Sequence, residues 1–410
     1  MDTSTPILGR VIVEGMLLVN DTSAELTAVY LEIRGGQLVI AQTDAAGNIV
    51  GPYLGKCTFT LLGTNAQLSR LNGADPRQTP ALHFGREGVE LGAGVLGIFG
   101  QFIAIGKPVS HSWVFLATMA AAGDSIIVVD AVVDWPAGAE IVIAATDYDP
   151  HEAEVKIIAS VIPGEDGRTI LNLTSPLQFR HYAAPPEQYG TRQMQIRAEV
   201  GLLSRNIVIK GDGQGEDTPY ATWNSQSTSV TLGGPHCGNK VCEPGEDSRA
   251  CSVDCRGPAF EYGAGVLVSS YTDDSVVCGR DGSCSSDYRR VFNGSLNASN
   301  VEVRYFGQNN LRAGLTLSGL QDGGRRVLAT NWSFNRGYFT GAKITGTSNA
   351  RIRGAVLYRA TLPTVVIADT ASVGNTIDGI LAVVGIFWNT HRGATQVQHE
   401  STDLLEKIRP

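Results

Sequence analysis

Residues 94–158 read GVLGIFGQFIAIGKPVSHSWVFLATMAAAGDSIIVVDAVVDWPAGAEIVIAATDYDPHEAEVKII. Short β-branched and aromatic runs recur in this stretch: FIAI at 102–105, IIVV at 126–129 and EIVI at 140–143. Gly, Pro and Asp stand between them. No part of it keeps an apolar residue at every third and fourth position. Such a pattern predicts strands joined by tight turns, not helices.

The same grammar extends outward in both directions. Residues 11–13 (VIV), 38–40 (LVI), 59–61 (FTL) and 207–209 (IVI) are further short runs. Glycine is abundant, at 48 of 410 residues, and dispersed. That excludes collagen and low-complexity linkers, and it suits a fold with many turns that need positive φ. Apolar residues are 43% and charged residues 18%, enough to fill a core and too little charge for a disordered chain.

Two features narrow the all-β reading to a solenoid. Residues 30–33 (YLEI) and 36–40 (GQLVI) are strands joined at a glycine corner, as in one rung of a β-helix. In the last third, segments at 298–303, 325–334, 350–358 and 374–381 each join a polar turn to alternating apolar residues. Their irregular period of about twenty to twenty-five residues fits coils of a parallel β-helix. Asn300, Asn331, Asn349 and Asn375 are expected to stack at its turns.

The chain carries a net charge of −8, so a phosphate backbone is a poor partner and nucleic-acid binding is not expected. No apolar run reaches the roughly eighteen residues of a membrane span. A signal peptide is not visible at the start. Six of the seven cysteines nevertheless lie between Cys237 and Cys284 in a Gly/Asp/Ser-rich segment, the mark of a disulfide knot in an oxidising compartment. Five N-x-S/T sequons agree, at Asn20, Asn172, Asn293, Asn297 and Asn331. Together they point to a secreted or cell-surface protein whose natural beginning precedes this chain.

Candidate chemistry is sparse. The densest polar cluster is Asp147, Asp149, His151, Glu152 and Glu154, in TDYDPHEAE. Asp147, Asp149, His151 and Glu154 could perform acid–base work on a glycosidic bond, or the carboxylates could bind a hard cation. A solvated turn fixed by Pro150 is the blander and favoured explanation. Arg197, Glu199 and Arg205 could hold a sugar carboxylate through the guanidinium fork, or form ion pairs between rungs. Cys237, Cys242, Cys251, Cys255, Cys278 and Cys284 are the disulfide candidates, with fifteen pairings open. Glu243, Glu246, Asp247 and Asp254, within that knot, could hold Ca²⁺. Cys57 reads as a buried thiol. Trp113, Trp135, Trp332 and Trp388 could stack on sugars, although tryptophans at strand ends are more often core. Walker loop, nucleophile elbow, H-E-x-x-H and dinucleotide fingerprint are all absent.

Residues 94–158 resemble the second half of the eight-glycine (G8) domain: a strand, a glycine, Gly106-Lys107-Pro108, Ser112-Trp113, then Asp134-Trp135 leading to Glu140-Ile141-Val142-Ile143 and Thr146-Asp147-Tyr148. RAEVGLLSRNIVIKGD, residues 197–212, resembles that family's lead into a β-helix. The family comprises fibrocystin-like proteins and hyaluronan-active cell-surface relatives. The resemblance implies an all-β protein: a G8-type β-domain continuing into a right-handed parallel β-helix, with a small disulfide-rich insertion. The expected division is 1–215 for the G8-type domain and lead-in, 216–290 for the cysteine-rich insertion, 291–390 for the coils and 391–410 for a polar tail. It implies a structural or adhesive surface protein, its partners glycans or matrix and surface proteins; the alternative is a hyaluronidase-like enzyme acting on glycosaminoglycans. The hyaluronan-active relatives carry a His-x-His on one coil and an acidic F-F-x-E-D-G turn on a later one. Here those stretches read RAGLTLS (312–318) and PTVVIAD (363–369), with neither histidine and with only Asp369 to echo the acidic turn. That argues against cleavage.

Overall fold

The computed structural model describes residues 1, 3–62, 82–84, 89–91, 94–185, 187–194, 196–211, 263–273, 277–278, 284–285, 290–308, 312–320, 327–360, 363–368 and 372–385. These residues form a parallel β-helix that carries one compact antiparallel unit on its side.

The solenoid has three faces, each a stack of parallel strands. Face A stacks residues 24–28, 57–61, 207–211, 301–306, 333–337, 356–360 and 381–385. Face B stacks residues 10–13, 30–34, 95–99, 265–269, 315–318, 342–345 and 365–368. Face C stacks residues 16–19, 37–40, 101–105, 295–299, 327–330, 351–353 and 376–378. The strand Ala24–Ile40 runs through all three faces of one coil. Gly35 at φ +66° lets it turn the corner between B and C.

Period-two alternation points every second side chain into one shared column. On face A that column is Leu26, Phe59, Ile209, Val303, Phe334 and Leu357, all buried. On face C it is Leu38, Phe102, Leu296 and Val327. Fully burying each such side chain contributes about 1.5–3 kcal/mol, so the column dominates the solenoid's stability. Cys57 is a buried thiol in this core, and burial pushes its ionisation up to about 12.

The corners stack as columns too. Between faces B and C, a Cβ on Gly36 would lie 2.5 Å from the Gly15 carbonyl oxygen, and one on Gly100 would lie 2.4 Å from that of Gly36. Backbone meets backbone there, so glycine is required. Between C and A, Asn300 and Asn331 adopt φ of +55° and +54° and share a column with Gly354 and Gly379 at +62° and +63°. The Asn300 amide donates to Thr330 O, the Asn331 amide to Arg353 O and the Gly354 amide to Asp378 O. Asn349 and Asn375 stand elsewhere: the Asn375 side chain bridges the Ala350 amide and the Thr347 carbonyl. The four asparagines therefore do not form one stack.

The domain division expected from sequence does not follow the topology. Residues 7–61 and 95–105 are coils of the same solenoid that residues 295–385 continue, because their strands pair in one sheet system. The unit with G8-like sequence is an insertion into that solenoid. The chain leaves at Gly106 and returns at Asn206, on the corner between C and A. Asn206 ties the neck: its Oδ1 accepts from the Lys107 amide at 2.8 Å, and its Nδ2 donates to Tyr53 O and Gly55 O. The inserted unit is a six-stranded antiparallel sheet, ordered 113–115, 199–202, 140–143, 154–163, 169–173, 126–129. Trp135, 2% exposed, plugs its core and donates from Nε1 to His111 O. The 216–262 part of the cysteine-rich segment and the 391–410 tail lie outside the described residues.

Candidate functional site

The TDYDPHE turn follows strand Glu140–Ile143 and ends in the short 3-10 turn Pro150–Glu152, which contains His151. Asp147 and Asp149 are exposed, and Tyr148 between them is 96% exposed. Glu154 points the other way. It opens the strand Glu154–Pro163, whose alternation buries Glu154, Lys156 and Ile158.

Glu154 is saturated with donors. Its carboxylate accepts from the Gln178 amide (2.8 Å), the Phe179 amide (2.8 Å), Lys156 Nζ (2.8 Å) and His181 Nε2 (3.1 Å). Burial by itself would raise its ionisation, but the hydrogen bonds from His181, Lys156 and the two amides prevail and lower it to about 2. Lys156 also donates to Pro176 O, and His181 Nδ1 lies 2.9 Å from Ala144 O. The cluster pins residues 176–181 to the sheet. It leaves Glu154 no lone pair for a substrate and does not join it to Asp147 and Asp149.

The arginines expected to contact glycans are also internal. Arg197 pairs with Asp130 at 2.8 Å and lies over the Phe115 ring at 4.8 Å. Glu199 sits beside them on the strand Glu199–Leu202. Arg205 is buried, and donates to Asn331 O from Nε and to Leu202 O and Ser204 O from Nη1. These bonds tie the return of the insertion to the solenoid.

A polar network that sequence reasoning missed lies under the inserted unit, on the outer side of face A. Glu302 accepts from Arg304 Nε (2.7 Å), Asn335 Nδ2 (3.1 Å) and the Arg205 amide (3.1 Å). Glu140, from the insertion, pairs with Arg304 and with Arg336 and accepts from Asn335 Nδ2 at 3.2 Å. Burial pushes Glu302 up to about 6 against the pull of Asn335 and Arg205, and it stays ionised at neutral pH. One or two coils further on, the same outward positions become apolar. Val356, Tyr358, Leu381 and Val383 pack against Val142, Ala144 and Leu203. Gly201 makes this approach possible, since a Cβ there would lie 2.8 Å from both Leu381 and Val356. Alternation of charged and apolar residues on the outer side of a coil was the one available signal. No single segment shows it.

The tryptophans divide between core and interface. Trp332 is fully buried in the solenoid, with Nε1 donating to Ala298 O. Trp113 donates to Gly379 O across the interface. Trp388 lies outside the described residues, as do Cys237, Cys242, Cys251, Cys255, Glu243, Glu246, Asp247 and Asp254. Cys278 and Cys284 face each other in backbone register across an antiparallel pair. Of the sequon asparagines, Asn20 and Asn297 are exposed, Asn172 and Asn293 are half-buried, and half-buried Asn331 occupies the corner column.

An open trough of about 770 Å³ runs along the B/C corner and the outer side of face C. It exists because glycines form that corner and raise no side chains. Glu14, Met16, Gln37, Gln101, Ser295 and Asn297 line it. Met16, Gln37, Gln101 and Ser295 are in register on four successive coils. Among the described residues, the side-chain amides of Gln37, Gln101 and Asn297 have no protein hydrogen-bond partner.

No family model matches the chain. It is 28% identical to fibrocystin-L of Mus musculus over 323 residues, 76% of this chain and 6% of that protein. With fibrocystin-L of Homo sapiens it is 27% identical over 378 residues, 87% of this chain and 7% of the relative. A G8 domain-containing protein of Dictyostelium discoideum is 33% identical over 143 residues, 34% of this chain and 8% of its own length. Among solved structures, the Gp54 tailspike of Acinetobacter baumannii bacteriophage AP22, in complex with A. baumannii capsular saccharide, aligns at 11% identity with a TM-score of 0.21, covering 92% of this chain and 41% of the tailspike. The chain thus spans less than a tenth of the fibrocystin-L proteins it matches. The G8-type motifs of the inserted unit agree with these relatives, and the fibrocystin-L and G8 domain-containing homologues, at 27–33% identity, support a G8-domain family for the chain.

Proposed function

We propose that the chain is a structural and adhesive segment of an extracellular or cell-surface G8-domain protein, and that its solenoid contacts glycans. The observation that carries this reading is the open trough, with unpartnered carboxamides stacked along it. Carboxamides both donate to and accept from sugar hydroxyls. The rest of the molecule suits a rigid spacer, since the inserted unit is held on face A by the Glu140–Arg304–Arg336 network and an apolar patch. The sequons and the cysteine segment support the secretory route, with glycans or neighbouring matrix and surface proteins as partners.

The hyaluronidase-like alternative has less support. Retaining and inverting glycosidases need two facing carboxyl groups, about 5–9.5 Å apart, that substrate can reach. Asp147 and Asp149 are directed into solvent on a turn, while Glu154 is enclosed. The test incubates the purified chain with hyaluronan, chondroitin sulfate and neutral polysaccharides, following retention and chain length together. Retention of at least one glycan with unchanged chain length is expected. Shortening of any chain would overturn the adhesive reading.

A further inference from the structure

We propose that Asn172 carries an N-linked glycan whose first rings cover an apolar strip on the outer side of the inserted unit. This rests on the secretory reading above and gives one sequon a place and a role.

Strand register creates the strip. The six-stranded sheet closes on itself, with Leu116 bridging Val129, so each strand has one side toward the core and one toward the surface. Ile127, Val129, Leu171 and Leu173 belong to the core. Alternation therefore turns Ile126, Val128, Ile170 and Asn172 outward. Strand pairing places Val128, Ile170 and Ile162 in one row across three strands. The neighbouring row, about 7 Å along the strands, is Ile126, Asn172 and Ser160. Ile126 is 55% exposed and Ile162 45%, while Val128 and Ile170 are half-buried. Single exposed isoleucines are ordinary on a protein surface. Four β-branched side chains side by side on adjacent strands form a patch, and patches mark contact with something else.

The sequon names the cover. Asn172-Leu173-Thr174 lies within the strip, with Ile126 directly opposite Asn172. Thr174 is exposed, and Asn172 Nδ2 donates to Ser160 Oγ at 2.6 Å on the outer side of the sheet. In the transfer, Nδ2 bonds to the anomeric carbon of an N-acetylglucosamine. The bond from that carbon to a lipid pyrophosphate donor breaks, the pyrophosphate leaves with the electron pair, and one Nδ2 proton passes to a base. The second Nδ2 proton stays, so the bond to Ser160 survives and directs the sugar. The first ring then starts between Ile126 and Ser160, with the Val128–Ile170–Ile162 row beside it for the ring that follows. Carbon-bound faces of the rings bury the isoleucines, and the hydroxyls remain in water.

The test expresses the full chain behind a secretory leader in cultured animal cells and maps glycopeptides of the secreted protein. Asn172 should be occupied. Thr174→Ala removes the sequon and keeps the Asn172 side chain, and binding of the apolar dye anilinonaphthalene sulfonate to the secreted variant should rise roughly two-fold or more. Adding Ile126→Thr and Ile162→Thr should return the dye signal to the parent's. Removing the glycan from the folded parent with an amide-cleaving glycosidase should produce the same rise, which keeps the test decisive if Thr174→Ala is poorly secreted. An unmodified Asn172 beside an occupied Asn20 or Asn297 would refute the assignment and leave the secretory reading standing. An occupied Asn172 whose glycan can be removed without any change in dye binding would refute the covering role. Absence of glycan from every sequon of the secreted chain would refute this inference and the secretory reading together.

Discussion

Replacing Glu154 with glutamine separates a structural carboxylate from a catalytic one. In the folded chain its ionisation falls from 4.5 to about 2. That difference corresponds to about 3 kcal/mol of stability at neutral pH. Glu154 is 6% exposed, so solvent and salt screen little of this. Glutamine keeps one acceptor oxygen but loses the charge, and it leaves Lys156 Nζ buried with Pro176 O as its remaining partner of those described. Breaking a buried pair typically costs 3–5 kcal/mol, so Glu154→Gln should destabilise the inserted unit by about 3 kcal/mol. Urea unfolding followed by tryptophan fluorescence reads this directly, because Trp135 and the strand that carries Glu154 share one core. With a slope of about 1–1.5 kcal/mol per molar for a unit of this size, the midpoint should drop by about 2–3 M. The pH dependence has a fixed sign. The folded carboxyl binds its proton less tightly than the unfolded one, so acid favours unfolding. The parent should lose this stabilisation as pH falls from 4.5 through about 2, and Glu154→Gln should not. A variant within about 0.5 kcal/mol of the parent would refute the structural assignment. It would also return Glu154 to the list of catalytic candidates.

Other parts of the molecule make separate predictions. Gly100→Ala should destabilise the solenoid by about 2 kcal/mol or more, because its Cβ would lie 2.4 Å from the Gly36 carbonyl oxygen, whereas Gly9→Ala, with nothing within 4 Å, should be near neutral in the same thermal unfolding experiment. Arg205→Met should cost about 3 kcal/mol, because Asn331 O, Leu202 O and Ser204 O lose their donor and buried Glu302 keeps Arg304 but loses the nearby charge of Arg205. Since burial already holds Glu302 above its unfolded value, ionised Glu302 opposes folding; stability should fall more steeply in this variant than in the parent as pH rises from about 5 to about 7. Cys278 and Cys284 face each other across a hairpin, a spacing that disulfide geometry accepts, so peptide mapping of protein secreted from cells should recover them linked. Reducing so short a loop should cost about 2 kcal/mol.

Period-two alternation, β-branched runs and dispersed glycine pointed, without coordinates, to an all-β chain and a solenoid, and the motifs of residues 94–158 carried the resemblance to G8 proteins. Each is a local property, visible within a few residues. The buried thiol at Cys57 and the core role of Trp135 and Trp332 were legible for the same reason. Tertiary structure alone decided where the solenoid begins. Residues 30–40 hinted at a rung, but the continuity of residues 7–61 and 95–105 with residues 295–385 exists only through strand pairing across the insertion at 106–206. It also decided that Glu154 turns inward. A glutamate in a polar run reads as solvated unless the donors that neutralise it are known, and the Gln178 and Phe179 amides and His181 come from more than twenty residues away. The trough escaped the sequence because its walls come from coils far apart in the chain, at Gln37, Gln101 and Asn297, and its shape comes from what the glycine corner lacks. Backbone stacking, not residue type, brings Gln37 and Gln101 into line.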